Sequence, residues 1–255
     1  MDLEIRERVF LITGGTDGLG LALATTLMSE GAFVAVCGRD ESRLARAREI
    51  LGGNALVKSC DVTNNDELDG FIDETLATFG RLDGAVNNAG RAMASPVATS
   101  SDELWRDDFA LKVLAAVHVS RRVLPVLAET QGSILNVLAI SARSPQGAST
   151  PTSASRAAGL ALTKALAHEG GPLGVRANAI LIGLIESGQW ARRAQAAGVS
   201  PEEFYASMAR DVPIPLGRLG KAREFADVAA FLLSPRASYL TGVGLSVDGG
   251  LSPVI

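Results

Sequence analysis

The sequence predicts an α/β fold, a single doubly wound parallel sheet of about seven strands with helices on both faces. Three observations predict it. Short apolar runs alternate with helical patterns along most of the chain. The runs are apolar throughout rather than every second residue, as a parallel sheet covered on both faces requires. A glycine-rich turn joins the first run to the first helix.

The elements follow in order. Val9 to Thr13 reads as a buried strand, and a helix spans about Leu19 to Ser29. Ala32 to Cys37 is a second strand, followed by a charged helix through Ile50. Ala55 to Lys58 makes a short third strand and Asp66 to Phe79 a helix. Leu82 to Val86 is a strand, and one long helix runs from about Asp102 to Ala128. Ser133 to Leu138, Ser153 to Glu169 and Val175 to Leu181 continue as strand, helix and strand. Right-handed crossovers then place helices on both faces. The polar stretch Glu186 to Asp211, with Trp190, Phe204 and Tyr205, interrupts the alternation and is expected to be a helical lid over a substrate pocket. No repeat or low-complexity linker divides the chain, so residues 1–255 read as one domain.

Composition narrows the function. The 255 residues are 47% hydrophobic and 20% charged, enough for a large core. A net charge of −4 carries no electrostatic footprint for nucleic acid or an anionic membrane. The start, Met1-Asp2-Leu3-Glu4, lacks the basic-then-apolar pattern of a leader, and no run is long enough to span a bilayer, so a cytoplasmic location is expected. Cys37 and Cys60 end apolar runs and read as small buried hydrophobes. No His, Cys or carboxylate cluster has metal-ligand spacing.

The turn is Thr13-Gly14-Gly15-Thr16-Asp17-Gly18-Leu19-Gly20. Following a strand and opening a helix, it has the context of a phosphate cradle in a Rossmann fold. Gly14 permits a tight turn, Gly18 lets backbone approach a pyrophosphate, and Gly20 lets helix and strand pack closely. The helix N-terminus adds N–H donors and a positive dipole.

Further motifs follow in fixed order: Asp61-Val62, Asn87-Asn88-Ala89-Gly90, Arg218-Leu219-Gly220, Tyr239-Leu240-Thr241-Gly242 and Val247-Asp248-Gly249-Gly250. With the glycine turn, they resemble the classical short-chain dehydrogenase/reductase family from about residue 8 to 250. The resemblance implies an NAD(P) site built from Thr13, Gly14, Thr16, Gly18, Leu19 and Gly20, with Asp61 and Val62 at the adenine. It adds Asn88, Ala89, Gly90, Arg156 and Gly183 nearer the nicotinamide. An acid after the second strand would bind the ribose hydroxyls of NAD. Gly38-Arg39 stands there instead, so Arg39 is expected to grip a 2′-phosphate and favour NADP(H) over NAD(H), with Arg43 as a candidate assistant. Ile182-Gly183 replaces the family's usual Pro-Gly.

The catalytic positions depart from the family. Its Tyr-x-x-x-Lys aligns with Thr152 and Arg156, its Ser, thirteen residues earlier, with Ala139, and its Asn, seven after a Trp, with Lys112. The chain's two tyrosines, Tyr205 and Tyr239, lie in the expected lid and in the C-terminal motif. A Thr hydroxyl does not ionise near neutral pH, and Arg156 stays protonated. Lys112 is either a buried acid or electrostatic stabiliser of lowered pKa, or a lysine that snorkels to the surface or pairs with a neighbour such as Asp108. Tyr205 reads as a replacement acid or as lid packing. Ser141, Ser153 and Ser155 are expected to cap local turns. His118 and His168 read as structural.

Three functions remain open on these residues. One is an NADP(H)-dependent oxidoreductase with altered proton delivery, acting on a small carbonyl, alcohol or enone. A catalytically silent NADP-binding partner or sensor, pairing with an active homologue, is the second. The third is a lyase or isomerase on the same fold. The resemblance also implies a homodimer or homotetramer, formed through the helices at 102–128 and 153–169 and the C-terminal strand region.

Overall fold

A computed structural model describes residues 2–255. The chain order is β1 (Val9–Thr13), α1 (Gly18–Ser29), β2 (Phe33–Gly38), α2 (Glu41–Leu51), β3 (Ala55–Ser59), α3 (Asn65–Phe79), β4 (Gly84–Asn87), β5 (Ala94–Ser95), α4 (Asp102–Phe109), α5 (Ala115–Thr130), β6 (Ser133–Ala139), β7 (Thr150–Pro151), α6 (Thr152–Gly170), β8 (Arg176–Ile182), α7 (Gly188–Ala196), α8 (Pro201–Asp211), α9 (Ala222–Leu233) and β9 (Gly244–Val247). The main sheet has seven parallel strands in the order β3-β2-β1-β4-β6-β8-β9. β5 and β7 form a separate antiparallel pair. No helix among the described residues is long and apolar enough to cross a membrane.

Alternation along each strand divides the core into two layers. Phe10 and Ile12 of β1 pack with Val34, Val36, Leu135 and Ile180 under α1 and α9, where Leu23, Leu27, Phe225 and Leu233 close the layer. Val9 and Leu11 point the other way, with Ala35, Cys37 and Ile134, against Phe71 of α3, Val119 and Val123 of α5, and Leu166 of α6. Cys37 and Cys60 are buried free thiols in this second layer.

Three expected elements differ. The long helix over 102–128 is broken by a π-helical turn, Ala110–Leu114, between α4 and α5. There the Ala115 N–H reaches back to the Ala110 carbonyl. The stretch 186–211 is two helices, α7 and α8, because Gly198 at positive φ ends the first and Ser200 opens the second with a capping box. Leu82 lies outside β4, which begins at Gly84, because the preceding residues serve as its anchor.

That anchor is Asp83. Its buried carboxylate accepts from the Val9 N–H at 2.9 Å and from Arg81 Nε at 2.8 Å, and Arg8 adds a contact at 3.3 Å. Its backbone joins β1 through Val9 O and β6 through Ser133 N. Asp83→Ala leaves a buried N–H without its acceptor, so we expect a loss of about 2–3 kcal/mol of unfolding free energy, read as a lower urea midpoint. An unchanged midpoint would show that the Asp83 carboxylate does not anchor the strand.

Candidate active site

The strand order reverses beside β1, so the segments that follow β1 and β4 leave the sheet on opposite faces and open a crevice. Thr13 and Asn88 tie its floor. Thr13 Oγ1 accepts from the backbone N–H groups of Asn88 (3.1 Å) and Ala89 (3.2 Å). Asn88 Nδ2 donates to the carbonyls of Thr13 (3.0 Å) and Gly14 (2.9 Å). Gly14 adopts φ +66°, and a Cβ on Gly20 would sit 2.4 Å from the Gly14 carbonyl oxygen. Close approach of α1 to its own turn therefore requires glycine.

Asp17 is a site residue that motif reading missed. It caps α1 through the Gly18 N–H at 2.8 Å and pairs with Arg192 of α7 at 2.7 Å. The N-cap preference for Asp was the available signal; the Arg192 partner, 175 residues away, had none in the sequence. Ser187 and Gly188 lie over Gly18, so the start of α7 covers the cradle.

Just after β2, Arg39 donates to Asp61 Oδ2 at 2.8 Å. Two residues expected to face different parts of a dinucleotide thus hold each other. Thr63 fixes the same carboxylate through its N–H (2.9 Å) and hydroxyl (2.7 Å). Val62 is buried beside it. Gly38 has a packing reason of its own: a Cβ there would lie 2.4 Å from Thr16 Oγ1. Close contact with Thr16 thus disfavours any side chain at this position, a carboxylate included.

Three of the four tetrad-equivalent positions, Lys112, Thr152 and Arg156, come together near the strand ends. Lys112 sits mid-way in the π turn with its side chain 1% exposed. Its ammonium bonds Asp108 Oδ1 and donates to Thr152 Oγ1 at 2.9 Å. The sequence alternatives, burial or pairing with Asp108, are both realised. Burial first, then the positive Arg156, pushes the Lys112 ammonium down to about 8, and the Asp108 hydrogen bond opposes that shift. Thr152 Oγ1 also accepts from the Met93 N–H at 2.9 Å. Ser155 does not cap α6, as expected, but donates to Asp108 Oδ2. Ser153 bonds Ser149 at 3.1 Å rather than an α6 N–H.

Arg156 donates to the Val137 carbonyl at 2.6 Å and packs against Gly90, while its buried Nε lacks a partner. Desolvation pushes its guanidinium down to about 10, so it remains a cation at neutral pH. Ala139 ends β6 and offers no polar group. Lys112, Arg156, Thr13 and Ala89 line a narrow cavity at the strand ends. Gly183 follows β8, where a Cβ would lie 2.7 Å from that of Asp248.

Other candidates stand apart. Tyr205 meets Phe204 edge-on at 6.5 Å on α8, and burial raises its phenol. His118 bonds Asp69 at 2.9 Å on the outer side of α5. In the cavity wall, Asn87 donates to Asn136, which donates to Thr163, each at 2.8 Å. This buried relay was missed because its members lie on three separate elements.

The cradle, the crevice at the strand-order reversal and the motif series have counterparts in known proteins. A family model described as enoyl-(acyl carrier protein) reductase matches residues 14–252. L-fucose dehydrogenase of Bos taurus is 33% identical over 252 residues, covering 98% of this chain and 91% of that protein. A 3-oxoacyl-[acyl-carrier-protein] reductase of Vibrio cholerae is 30% identical over 250 residues, covering 98% and 99%. Among solved structures, the NADPH-bound short chain oxidoreductase of Pseudomonas aeruginosa PAO1, which contains an atypical catalytic center, is 39% identical with a TM-score of 0.91, covering 98% of both chains. On this agreement of motif order, sheet topology and full-length similarity, the chain belongs to the classical short-chain dehydrogenase/reductase family of oxidoreductases.

Proposed function

We propose that the protein is an NADP(H)-dependent oxidoreductase acting on a small carbonyl, alcohol or enone, with Lys112 as proton source through the Thr152 hydroxyl. The observation that carries this reading is the 2.9 Å contact between Lys112 Nζ and Thr152 Oγ1 at the position of the family's missing phenol. The residues present fit the dinucleotide. The glycine cradle has no room for a Cβ at Gly20, the buried Arg156 Nε awaits an acceptor, and Arg39 stands at the mouth of the adenosine end. The NADPH held by the Pseudomonas relative supports the same choice.

Thr13 to Gly20 would hold the diphosphate at the α1 N-terminus. Asp61 and Val62 would flank the adenine, and Arg39 the 2′-phosphate. Asn88, Ala89, Gly90, Arg156 and Gly183 would line the nicotinamide end. When bound, the reduced dinucleotide supplies a hydride.

The chain's own residues supply the proton. Thr152 oxygen has two lone pairs, and the Met93 N–H and Lys112 ammonium occupy both. Its hydrogen must therefore be donated outward. The nearby acceptor, Asp108 Oδ1, lies 3.4 Å away, long for an O–H···O bond. A substrate carbonyl oxygen brought against Thr152 would be the better acceptor. As negative charge grows on that oxygen, the Thr152 proton passes to it and a Lys112 proton passes to Thr152. Thr152 is restored as a hydroxyl and Lys112 is left as a neutral amine. Arg156 remains cationic throughout and stabilises the developing oxyanion.

We also propose a homo-oligomer. Leu114 in the π turn between α4 and α5, and Tyr239 and Leu245 around the edge strand β9, are exposed apolar groups at two surfaces the family resemblance names. Sedimentation velocity is expected to show a dimer or tetramer; a monomer at micromolar concentration would refute this.

The first test is titration with NADPH and NADH by nicotinamide fluorescence, then a panel of β-keto esters, ketoses, quinones and enones. Tight NADPH binding with no turnover would favour the silent-partner reading. Arg39→Ala is expected to weaken NADPH about ten-fold or more while affecting NADH far less; equal losses would remove Arg39 from cofactor choice. Lys112→Met and Thr152→Val should each fold and bind NADPH yet lose about 100-fold or more in turnover. The reductive rate should fall as pH rises through about 8, where the Lys112 ammonium is lost. A flat profile across that range would exclude Lys112 as the acid.

A further inference from the structure

Asp108 corresponds to none of the positions expected from the family's tetrad, and the proton path above does not pass through it. It is nonetheless fully buried, and so is its partner Lys112. A carboxylate taken out of water is tolerated only when its oxygens are bonded. Here both are. Oδ1 takes the Lys112 ammonium and Oδ2 takes the Ser155 hydroxyl. One carboxylate thereby joins the last turn of α4, the π turn and the first turn of α6.

The arrangement has a directional consequence. Lys112 carries a flexible four-carbon stem and three donor hydrogens. Asp108 claims one of them from a position one helical turn back, and Thr152 receives another. The Ser155 hydroxyl, with its single hydrogen given to Oδ2, holds the second carboxylate oxygen and keeps it from turning away. We propose that Asp108, clamped by Ser155, is a positioning residue that aims the Lys112 ammonium at the Thr152 hydroxyl. The proposal rests on the reading of Lys112 as proton source.

Asp108 also balances charge. The other groups facing Lys112 are Thr152, Ser155 and the cationic Arg156 from α6, and the cationic Arg91 from the segment after β4. Asp108 is the sole carboxylate bonded to Lys112 among the described residues. Without it, the ammonium would sit beside two cations, and its proton would leave at lower pH.

The chain has four lysines, Lys58, Lys112, Lys164 and Lys221, so ε-¹³C-lysine labelling of the full-length protein gives a spectrum that Lys112→Met assigns. We expect the Lys112 titration midpoint to fall by about one pH unit or more in Asp108→Asn, with and without NADPH. Asp108→Glu, which keeps the charge on a longer arm, should restore the midpoint. Turnover of ethyl acetoacetate, or of the fastest acceptor in the panel, should fall about ten-fold or more at neutral pH in Asp108→Asn, and its alkaline limb should move to lower pH with the Lys112 midpoint. A positioning residue acts only through its partner. Asp108→Asn placed on Lys112→Met, a variant that also removes both buried charges, should therefore leave the residual rate unchanged. A further loss in that double variant, or an unmoved Lys112 midpoint in Asp108→Asn, would overturn the proposal. Full turnover in Lys112→Met would instead defeat the proton-source reading, while the midpoint still reports whether Asp108 governs Lys112.

Discussion

The bonds between Thr13 and Asn88 are the constraint on which the rest of the site depends. At the reversal of strand order, β1 and β4 lie side by side but send their chains to opposite faces. Such a division would leave backbone donors and acceptors exposed at the bottom of a crevice. One threonine hydroxyl and one asparagine amide satisfy them: the hydroxyl takes two N–H groups, and the amide caps two carbonyls. With that floor fixed, Gly14 turns, Gly20 packs, and the N-terminus of α1 faces the crevice. On the far side, the same floor positions Ala89 and Gly90, and Gly90 leaves room for the Arg156 guanidinium.

The catalytic end solves a different problem. Removing a phenol and a serine hydroxyl strips the family's usual proton donor from the cavity, and a buried lysine brings a charge that must be balanced. Asp108 balances it, and the two residues lie four apart where an α-helical turn brings side chains together. The π turn begins just after, so the pair straddles a change in helical pitch. The cluster of Asp108, Lys112, Thr152 and Ser155 is thus a coupled unit. Each member's geometry is set by another's charge or hydrogen, and substitutions within it will not be additive.

The sheet, most helices and the cradle were legible in the sequence, because each is a local signal: a run of apolar residues, a helical period, a glycine turn. Thr152, Arg156, Lys112 and Ala139 were locatable by spacing from the motifs. Their arrangement was not. The π turn has no local signature in Ala110 to Leu114, so a single helix was the natural reading. Ser155 looked like a helix-start hydroxyl because its partner is 47 residues away in sequence. Arg192 gave no sign of reaching Asp17 for the same reason. Gly38 has a packing reason the sequence did not show, its close contact with Thr16.

The placement of ion pairs separates what must stay rigid from what must yield. The floor and the Asp108 cluster are buried, and breaking a buried partner costs several kcal/mol. Arg39–Asp61 and Arg192–Asp17 are partly exposed, with their arginine side chains about half accessible, and pairs of that kind contribute about 0–1 kcal/mol. Both pairs are therefore cheap to break. A dinucleotide binding here would meet a preformed floor and weakly latched edges, which puts most of the reorganisation on the exposed arginines and leaves the proton-bearing cluster undisturbed.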